Sequence, residues 1–299
     1  MKFGHIDAHA QEHLHLELPA DNPDNSRILN GRKAKKAKVY VGCAKWGRSE
    51  WVGIIYPDGT RPADYLRNYV NHFNSIELNG TFYQTKKDHI EAWTTIPDNE
   101  FKFCPKFHRI ISHIRRLNGC EESTARFFDA IAAFGSLLGL PFLQMPENFS
   151  PKYFDRLQHY IRTVSGTIPY AIELRHEAWF SDGVVREQLY RLLEAQKVTL
   201  IITDTAGRRD CLHQRLTTNK AFVRFAGYGL HSSDFKRMDD WAEQIRCWMD
   251  NGLPEVYFFL HQKSEKDTIV SAQYMANKLN EVCGLNLKLP HFIKQGAGM

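Results

Sequence analysis

Short apolar runs alternate with longer amphipathic segments along most of this chain. The runs occupy residues 39–42, 75–83, 101–107, 140–146, 170–176, 199–204, 221–227 and 256–262. Between the first two runs, residues 62–73 place an apolar stripe on one helical face, and similar stripes occur in 121–138, 151–164, 184–196, 234–251 and 267–282. Because parallel neighbours need a long crossover, this alternation predicts parallel strands joined by helices.

Polar residues lie near the carboxyl ends of most of these runs. They are Glu77, Asn79, Lys106, Gln144, Glu173, Arg175, Asp204, Arg224 and His261. Such side chains are costly in a parallel sheet that is covered on both faces, so their recurrence needs a common reason. A TIM-like (β/α)8 barrel supplies one, because its active-site mouth collects the carboxyl ends of all eight strands.

Two local patterns refine this fold prediction. The segment 206–220 is short and polar, so the helix between the sixth and seventh strands should be weak or missing. An open doubly wound sheet is the competing architecture, but the loop Gly42–Gly47 lacks the G-x-G-x-x-G spacing that grips a dinucleotide phosphate. The sequence therefore favours the barrel.

Chain length suits one barrel with two flanking segments. Residues 39–290 amount to the roughly 250 residues typical of this fold. We expect residues 1–38 to form a flexible polar and basic arm, and residues 291–299 to form a C-terminal tail. The segment 32–38 holds five basic residues, which fits either a solvated linker or a contact with nucleic acid or another polyanion.

Composition restricts the class of protein. Hydrophobic residues make up 43% and charged residues 24% of the chain, as in ordinary globular proteins. The six cysteines are scattered without C-x-x-C spacing, and no apolar stretch is long enough for a signal peptide or a membrane span. These features predict a cytoplasmic protein with no membrane partner.

Several blocks of the sequence carry a family likeness. VGCAKWGRSEWVGIIYP (41–57), FNSIELNGTFYQT (73–85) and IELRHEAW (172–179) are the most specific, and the likeness continues in register over about residues 39–282. With these blocks the chain resembles the YecE-like family, a domain of unknown function. The resemblance implies a TIM-like barrel of unassigned activity. Lys45 and the pair His261-Gln262 depart from the usual pattern, so the site at those edges is expected to differ.

Three acidic residues are the candidates for catalysis. Glu77, Glu173 and Asp204 can serve as general acids and bases, or as the carboxylate pair of a glycoside hydrolase. Glu77 and Asn79 lie two residues apart and therefore face the same side of a strand, as do Glu173 and Arg175.

Cationic and aromatic residues suggest an anionic ligand. Arginine can grip a phosphate or carboxylate through two hydrogen bonds, and lysine supplies a compact charge. The candidate substrate-binding residues are Asn79, Tyr83, Lys106, Gln144, Arg175, Arg224, His261 and Trp46. We therefore expect a hydrolase that acts on a small phosphate-bearing or other anionic substrate.

Other interpretations remain open at this point. The acids and cations could form a self-neutralising ion-pair network, because buried charges persist only when they are paired. The protein could also be a glycoside hydrolase, or a non-catalytic protein that binds anions or nucleic acid. No cofactor is assigned. A divalent metal held by Glu77, Glu173, Asp204 and His261 is left open, although three cations lie among these carboxylates. The oligomeric state is not predicted.

Overall fold

The computed structural model describes residues 4, 6, 16–34, 36–164 and 166–293. Within these residues the chain forms a mixed α/β fold in which the strand pairings are parallel. The strands are β1 (Lys38–Cys43), β2 (Ser75–Leu78), β3 (Lys102–Pro105), β4 (Phe142–Gln144), β5 (Ala171–Glu173), β6 (Thr199–Leu200), β7 (Ile202–Thr205), β8 (Lys220–Ala226) and β9 (Glu255–His261).

Helices connect most of these strands and cover the sheet from outside. The α-helices span Tyr65–Tyr69, Lys87–Thr94, Glu121–Ala132, Phe154–Val164, Ala178–Ser181, Gly183–Ala195, Ser232–Asp250 and Glu265–Cys283. A single π-helical turn, Ile110–Ile114, follows β3. Between β7 and β8 the described chain holds only the 3-10 helix Arg209–Cys211, which confirms the expected weak connection. None of the described helices combines the length and the apolar character needed to span a membrane.

The strands form two sheets rather than one closed barrel. The larger sheet has the order β3-β2-β1-β9-β8-β7, and the smaller one has the order β4-β5-β6. Between β3 and β4 only the bridges Phe103↔Leu138 and Lys106↔Phe142 occur. Between these two bridges, the segment 138–142 has one residue more than the segment 103–106. This extra residue is a bulge, and a bulge interrupts the regular hydrogen bonding between two strands. At the other junction, β6 and β7 are separated by Ile201 alone.

Two buried clusters show which way each strand residue points. The smaller cluster lies on the side of the strands that faces away from the helices, which we call the inner side. It contains Tyr40, Cys104, Leu140, Phe142, Ala171, Ile201, Phe222, Tyr257 and Phe259. The larger cluster, which includes Ile76, Ile172, Val223 and Phe258, lies between the strands and the helices. Because successive strand residues alternate between faces, membership in a cluster fixes the direction of the polar neighbours as well.

The described part of the N-terminal region packs on the domain, which differs from the expectation of a flexible arm. Leu16, Asn25 and Leu29 are buried in residues 16–34. The Asn25 amide donates to the Gln214 carbonyl oxygen at 2.7 Å and accepts from the Leu216 amide nitrogen at 2.8 Å. Residues 1–3, 5, 7–15 and 35 of the predicted arm lie outside the described residues, and the domain bounds themselves stay a prediction.

The contacts of Asn25 lead to a prediction about stability. Replacing Asn25 by alanine leaves two buried backbone groups of the segment 214–216 without partners, which costs roughly 1–3 kcal/mol per group. We expect Asn25→Ala to lower the free energy of unfolding by roughly 2–6 kcal/mol in a denaturant titration. The neighbouring Ser26→Ala should have almost no effect, because the Ser26 hydroxyl bond is exposed. Equal stability of both variants and the wild type would show that the segment does not support the fold.

Candidate functional site

The inner face of the strands carries a group of polar side chains at its carboxyl end. Glu77, Gln144, Glu173, Arg224 and His261 lie on β2, β4, β5, β8 and β9, and Lys106 directly follows β3. Arg224 follows the inner residue Phe222 by two positions, and His261 follows Phe259 in the same way. Parallel pairing brings these carboxyl ends to one edge, so the structure collects the six residues in one place.

Arg224 is the centre of this group. Its Nε and NH2 atoms donate to Glu77 Oε2 and Oε1 at 2.8 and 2.7 Å. Its NH1 atom donates to Glu173 Oε2 at 2.5 Å. The guanidinium is 2% exposed, and both carboxylates are fully buried. One arginine therefore bridges the two glutamates predicted to be catalytic.

Other side chains also contact the oxygens of the two glutamates. Asn79 donates to Glu77 Oε1 at 2.8 Å, and His261 Nε2 lies 3.0 Å from Glu77 Oε2. Glu173 Oε1 accepts from Arg175 Nε and from the Thr203 hydroxyl, each at 2.8 Å. All four carboxylate oxygens therefore have hydrogen-bond donors or a histidine nitrogen beside them.

These contacts set the protonation of the carboxylates. Burial alone would raise the pKa of Glu77, but Arg224 and His261 hold that pKa well below its usual range. Burial opposes the ionisation of Glu173 too, yet Arg175 and Arg224 lower its pKa to about 2. Carboxylates held ionised in this way are poor proton donors near neutral pH. The acid and base roles predicted for Glu77 and Glu173 do not fit this geometry, which matches the alternative of an ion-pair network.

Lys106 has different neighbours from Arg175 and Arg224, which pair with glutamates. Its Nζ atom donates to Gln144 Oε1 at 2.8 Å and lies 4.6 Å from the centre of the Phe82 ring. Among the described residues, no carboxylate lies within ion-pairing distance of this ammonium. Burial, and then the charge of Arg224, lower the pKa of Lys106 to about 8, although Glu77 and Glu173 act in the opposite direction.

A cavity of about 240 Å³ opens above this group. Its lining includes four cations and one carboxylate, namely Arg48, Lys106, Arg175, Arg224 and Glu265. Arg48 NH2 lies 2.5 Å from Glu265 Oε1. Counting the buried Glu77 and Glu173 beneath it, the site has four positive and three negative charges, with His261 neutral. Burial lowers the pKa of His261 below its usual value, although the Glu77 carboxylate acts in the opposite direction.

Asp204 lies outside the cavity, so its predicted role as a catalytic acid is not supported. On β7 the inward position belongs to Thr203, and Asp204 points to the helix Ser232–Asp250. Its carboxylate accepts from Arg237 NH1 at 2.8 Å, from Trp241 Nε1 at 2.7 Å, and from Arg209. Burial would raise the pKa of Asp204, but Arg237 and Arg209 lower it.

Two predicted aromatic ligand contacts also lie outside the lining of this cavity. Trp46 is partly buried, and its ring packs against Trp93 at 5.1 Å and Phe103 at 6.3 Å between ring centres. Tyr83 is 69% exposed on the 3-10 turn after β2. Sequence reasoning missed Thr203, whose neighbours in the apolar run 199–204 give no sign of which face is inward.

The arrangement is unsuited to a divalent metal. The Arg224 guanidinium occupies the space between Glu77 and Glu173, where a cation would have to bind. Asp204 faces the outer helix layer and cannot join them. Among the described residues no group of three or more His, Cys, Asp or Glu side chains could hold a metal ion.

Comparisons with known proteins support a single family. The family model "Protein of unknown function DUF72" matches residues 40–291. UPF0759 protein YecE of Escherichia coli (strain K12) is 27% identical over 242 residues, which cover 75% of this chain and 86% of that protein. UPF0759 protein YunF of Bacillus subtilis (strain 168) is 26% identical over 206 residues, 63% of this chain and 70% of that protein.

A solved structure shares the fold. The crystal structure of a DUF72 family protein from Enterococcus faecalis V583 superposes with a TM-score of 0.65. The match covers 84% of this chain and 99% of that chain at 18% sequence identity. This likeness concerns the fold alone.

Proposed function

This chain belongs to the family described as protein of unknown function DUF72, and from that premise we propose that it binds and hydrolyses a small phosphate-bearing or other anionic substrate in the cavity above Arg224. The resemblance to the YecE-like family seen in the sequence is thereby confirmed. The reaction itself is argued from the site, because neither the family description nor the names of the relatives state one.

One observation carries this proposal, namely the state of Lys106. A half-buried ammonium without a carboxylate partner is unfavourable for the folded protein, and such a group is expected where a ligand supplies the missing negative charge. Arg48, Arg175 and Arg224 line the same cavity, so an anion there would face four cations. Glu77 and Glu173 occupy the hydrogen-bond donors of Arg224, so Arg224 contributes its positive charge to anion binding.

Lys106 also supports the hydrolytic step. With a pKa of about 8, its ammonium can give a proton to the leaving oxygen of an ester near neutral pH, while water attacks the substrate. The resulting amine is reprotonated by solvent. A glycoside hydrolase needs a protonated carboxyl group as its acid, and the lowered pKa values of Glu77 and Glu173 speak against that alternative.

We further propose that the strands wrap as a TIM-like (β/α)8 barrel and that the protein works in the cytoplasm. The two sheets approach each other at both junctions, through the hydrogen bond from the Phe107 amide to the Phe142 carbonyl oxygen and through the continuous segment β6–β7. In that arrangement the cavity lies at the carboxyl-terminal mouth, where barrel enzymes place their active sites.

Inorganic phosphate should stabilise the protein, and the effect should depend on Lys106. At a hundredfold excess over Kd, binding contributes about 2.7 kcal/mol, which corresponds to a Tm increase of a few degrees for a chain of this size. Lys106→Met should remove this increase. The increase should also disappear as pH rises through about 8, because the ammonium loses its proton while phosphate stays a dianion. Thermal unfolding at low salt from pH 6.5 to 9.5 measures both effects.

Lys102→Met is the matched control, since Lys102 begins β3 at the end opposite to Lys106, which follows the strand, and contacts the Ser136 carbonyl oxygen. It should keep the phosphate response. Without phosphate, Lys106→Met should be more stable than the wild type by about 1 kcal/mol below pH 8. Because the folded pKa of Lys106 lies below its unfolded value, this advantage should shrink as pH rises from about 8 toward the unfolded pKa of about 10.4. A phosphate response that survives in Lys106→Met refutes the assignment.

A turnover assay separates the enzyme from a non-catalytic anion-binding protein. If phosphate stabilises the wild type, p-nitrophenyl phosphate should be hydrolysed by the wild type and not by Lys106→Met. Binding of phosphate without turnover of this and related esters would favour the non-catalytic alternative.

A further inference from the structure

The cavity above Arg224 is too small for most complete substrates. Its volume of about 240 Å³ is enough for a phosphate group, whereas pockets that enclose whole metabolites or drugs are roughly 300–1,000 Å³. If the substrate is larger than its anionic group, the remainder must lie on residues at the rim. The chemistry of that rim therefore indicates the class of substrate.

Just outside the cavity lining, aromatic rings lie beside Lys106, and we call this set the rim. The Phe82 ring centre lies 4.6 Å from Lys106 Nζ, and the Tyr83 ring centre lies 5.0 Å from that of Phe82. The two contacts place the Tyr83 ring within about 10 Å of the ammonium. This separation is comparable with the length of a nucleotide from its phosphate to its base. The His113 ring also packs against Phe82, at 4.9 Å between ring centres.

The Tyr83 side chain is exposed, while its backbone is anchored by hydrogen bonds. Its side chain is 69% exposed, while its amide donates to the Gly80 carbonyl oxygen at 3.2 Å and its carbonyl oxygen lies 3.1 Å from His108 Nε2. Tyr83 also lines a second cavity of about 390 Å³, together with Lys86, His108 and Arg126. An exposed aromatic ring on an anchored backbone, with cations beside it, is the arrangement on which proteins stack nucleobases.

The charge around these rings is positive. Burial, followed by the charges of Lys106, Arg175 and Arg116, lowers the pKa of His113 to about 4, so this ring is neutral at physiological pH. The rim therefore offers flat uncharged rings inside a positive field, which suits a ligand that joins a planar ring to a phosphate.

We propose that the substrate is a nucleotide, whose phosphate lies beside Lys106 and whose base stacks on Tyr83 in the neighbouring cavity. This inference rests on the proposed function, because it takes the anion site as given and adds the class of molecule that carries the anion. The nucleotide can be free or can be the terminal residue of a single strand, since both present the same phosphate and base.

The test compares ligands that differ only in the base. Affinities for inorganic phosphate, ribose 5-phosphate and adenosine 5′-monophosphate are measured by calorimetry at low salt for the wild type, Tyr83→Ala and Tyr83→Phe. Stacking of one base contributes roughly 1–3 kcal/mol, so the wild type should bind the adenosine compound about 5-fold to 150-fold more tightly than ribose 5-phosphate. Tyr83→Ala should lose this preference and keep its affinity for phosphate, and Tyr83→Phe should keep both.

Val184→Ala is the control, because Val184 is 70% exposed at the start of a distant helix, and this variant should behave as the wild type. Equal affinity of the wild type for ribose 5-phosphate and the adenosine compound overturns the nucleotide inference and leaves the anion site standing. A preference that persists in Tyr83→Ala overturns it as well. Failure of all three ligands to bind overturns the proposed function together with this inference. A 5′-phosphorylated tetra-adenylate that binds more tightly than the free nucleotide identifies a strand end as the source.

Discussion

Replacing Arg224 by methionine should destabilise the protein by roughly 3–5 kcal/mol, the cost of removing one partner from a buried ion pair. Arg224 donates three hydrogen bonds of 2.5–2.8 Å to Glu77 and Glu173, and both carboxylates are fully buried. Without the guanidinium, Glu173 keeps Arg175 as its partner, whereas Glu77 keeps only Asn79 and His261. The free energy of unfolding from urea titrations measures the loss.

The pH dependence of this loss identifies its cause. In the wild type the lowered pKa values of Glu77 and Glu173 contribute stability that is present above their unfolded pKa of about 4.3 and is lost as pH falls toward about 2. The difference between the wild type and Arg224→Met should therefore be large at pH 7 and should shrink below pH 4. A difference that is constant over this range would attribute the loss to packing.

Arg126→Met is the matched control for Arg224→Met. Arg126 pairs with Glu122 at 2.7 Å, but the two side chains are 69% and 84% exposed. Exposed pairs of this kind contribute about 0–1 kcal/mol, so the same substitution should have little effect there. A wild-type stability for Arg224→Met would contradict the bridging role of Arg224.

Replacing Asp204 by alanine should also cost roughly 3–5 kcal/mol, although Asp204 lies outside the cavity. Its carboxylate is fully buried and accepts hydrogen bonds from Arg237, Arg209 and Trp241. Removing it leaves the Trp241 ring nitrogen without an acceptor and leaves Arg237 with Asp234 as its remaining carboxylate partner. Urea titration measures the loss, and phosphate binding is measured on the folded protein.

The two measurements separate a structural from a catalytic role for Asp204. Because Asp204 faces the outer helices, the folded Asp204→Ala should bind phosphate and turn over substrate as the wild type does. Asp240→Ala, which removes the exposed partner of Lys236, should change stability by less than about 1 kcal/mol. A stable Asp204→Ala without activity would restore the catalytic role that the sequence suggested.

The sequence by itself determined the elements and most of the candidate site. Apolar runs that alternate with amphipathic segments predict parallel strands and crossover helices, since only that order buries both kinds of apolar face. The spacing of two between Glu77 and Asn79, and between Glu173 and Arg175, placed each pair on one side of the chain. Parallel pairing then required the carboxyl ends of the strands to meet, so Lys106, Gln144, Arg224 and His261 were found together.

Only the tertiary structure decided the direction of Asp204 and the state of each charge. Each face of the run 199–204 carries one isoleucine and at least one polar residue, so its alternation gives no sign that Thr203 points inward and Asp204 outward. The set of site residues predicted from the sequence holds three acids and three cations, but the sequence does not give the distances between them. The ion pairs that engage Arg224, and the absence of a carboxylate beside Lys106 among the described residues, follow from strand positions far apart in the chain.

The packing of the N-terminal segment also depends on the tertiary structure. Residues 16–34 are largely polar, with three acidic and three basic side chains. The contact of Asn25 with residues 214–216 joins positions 189 and 191 residues apart. A sequence pattern reports the neighbours of a residue along the chain, which fix secondary structure and the inward or outward face. Charge pairing and docking depend on neighbours in space, and folding alone brings those together.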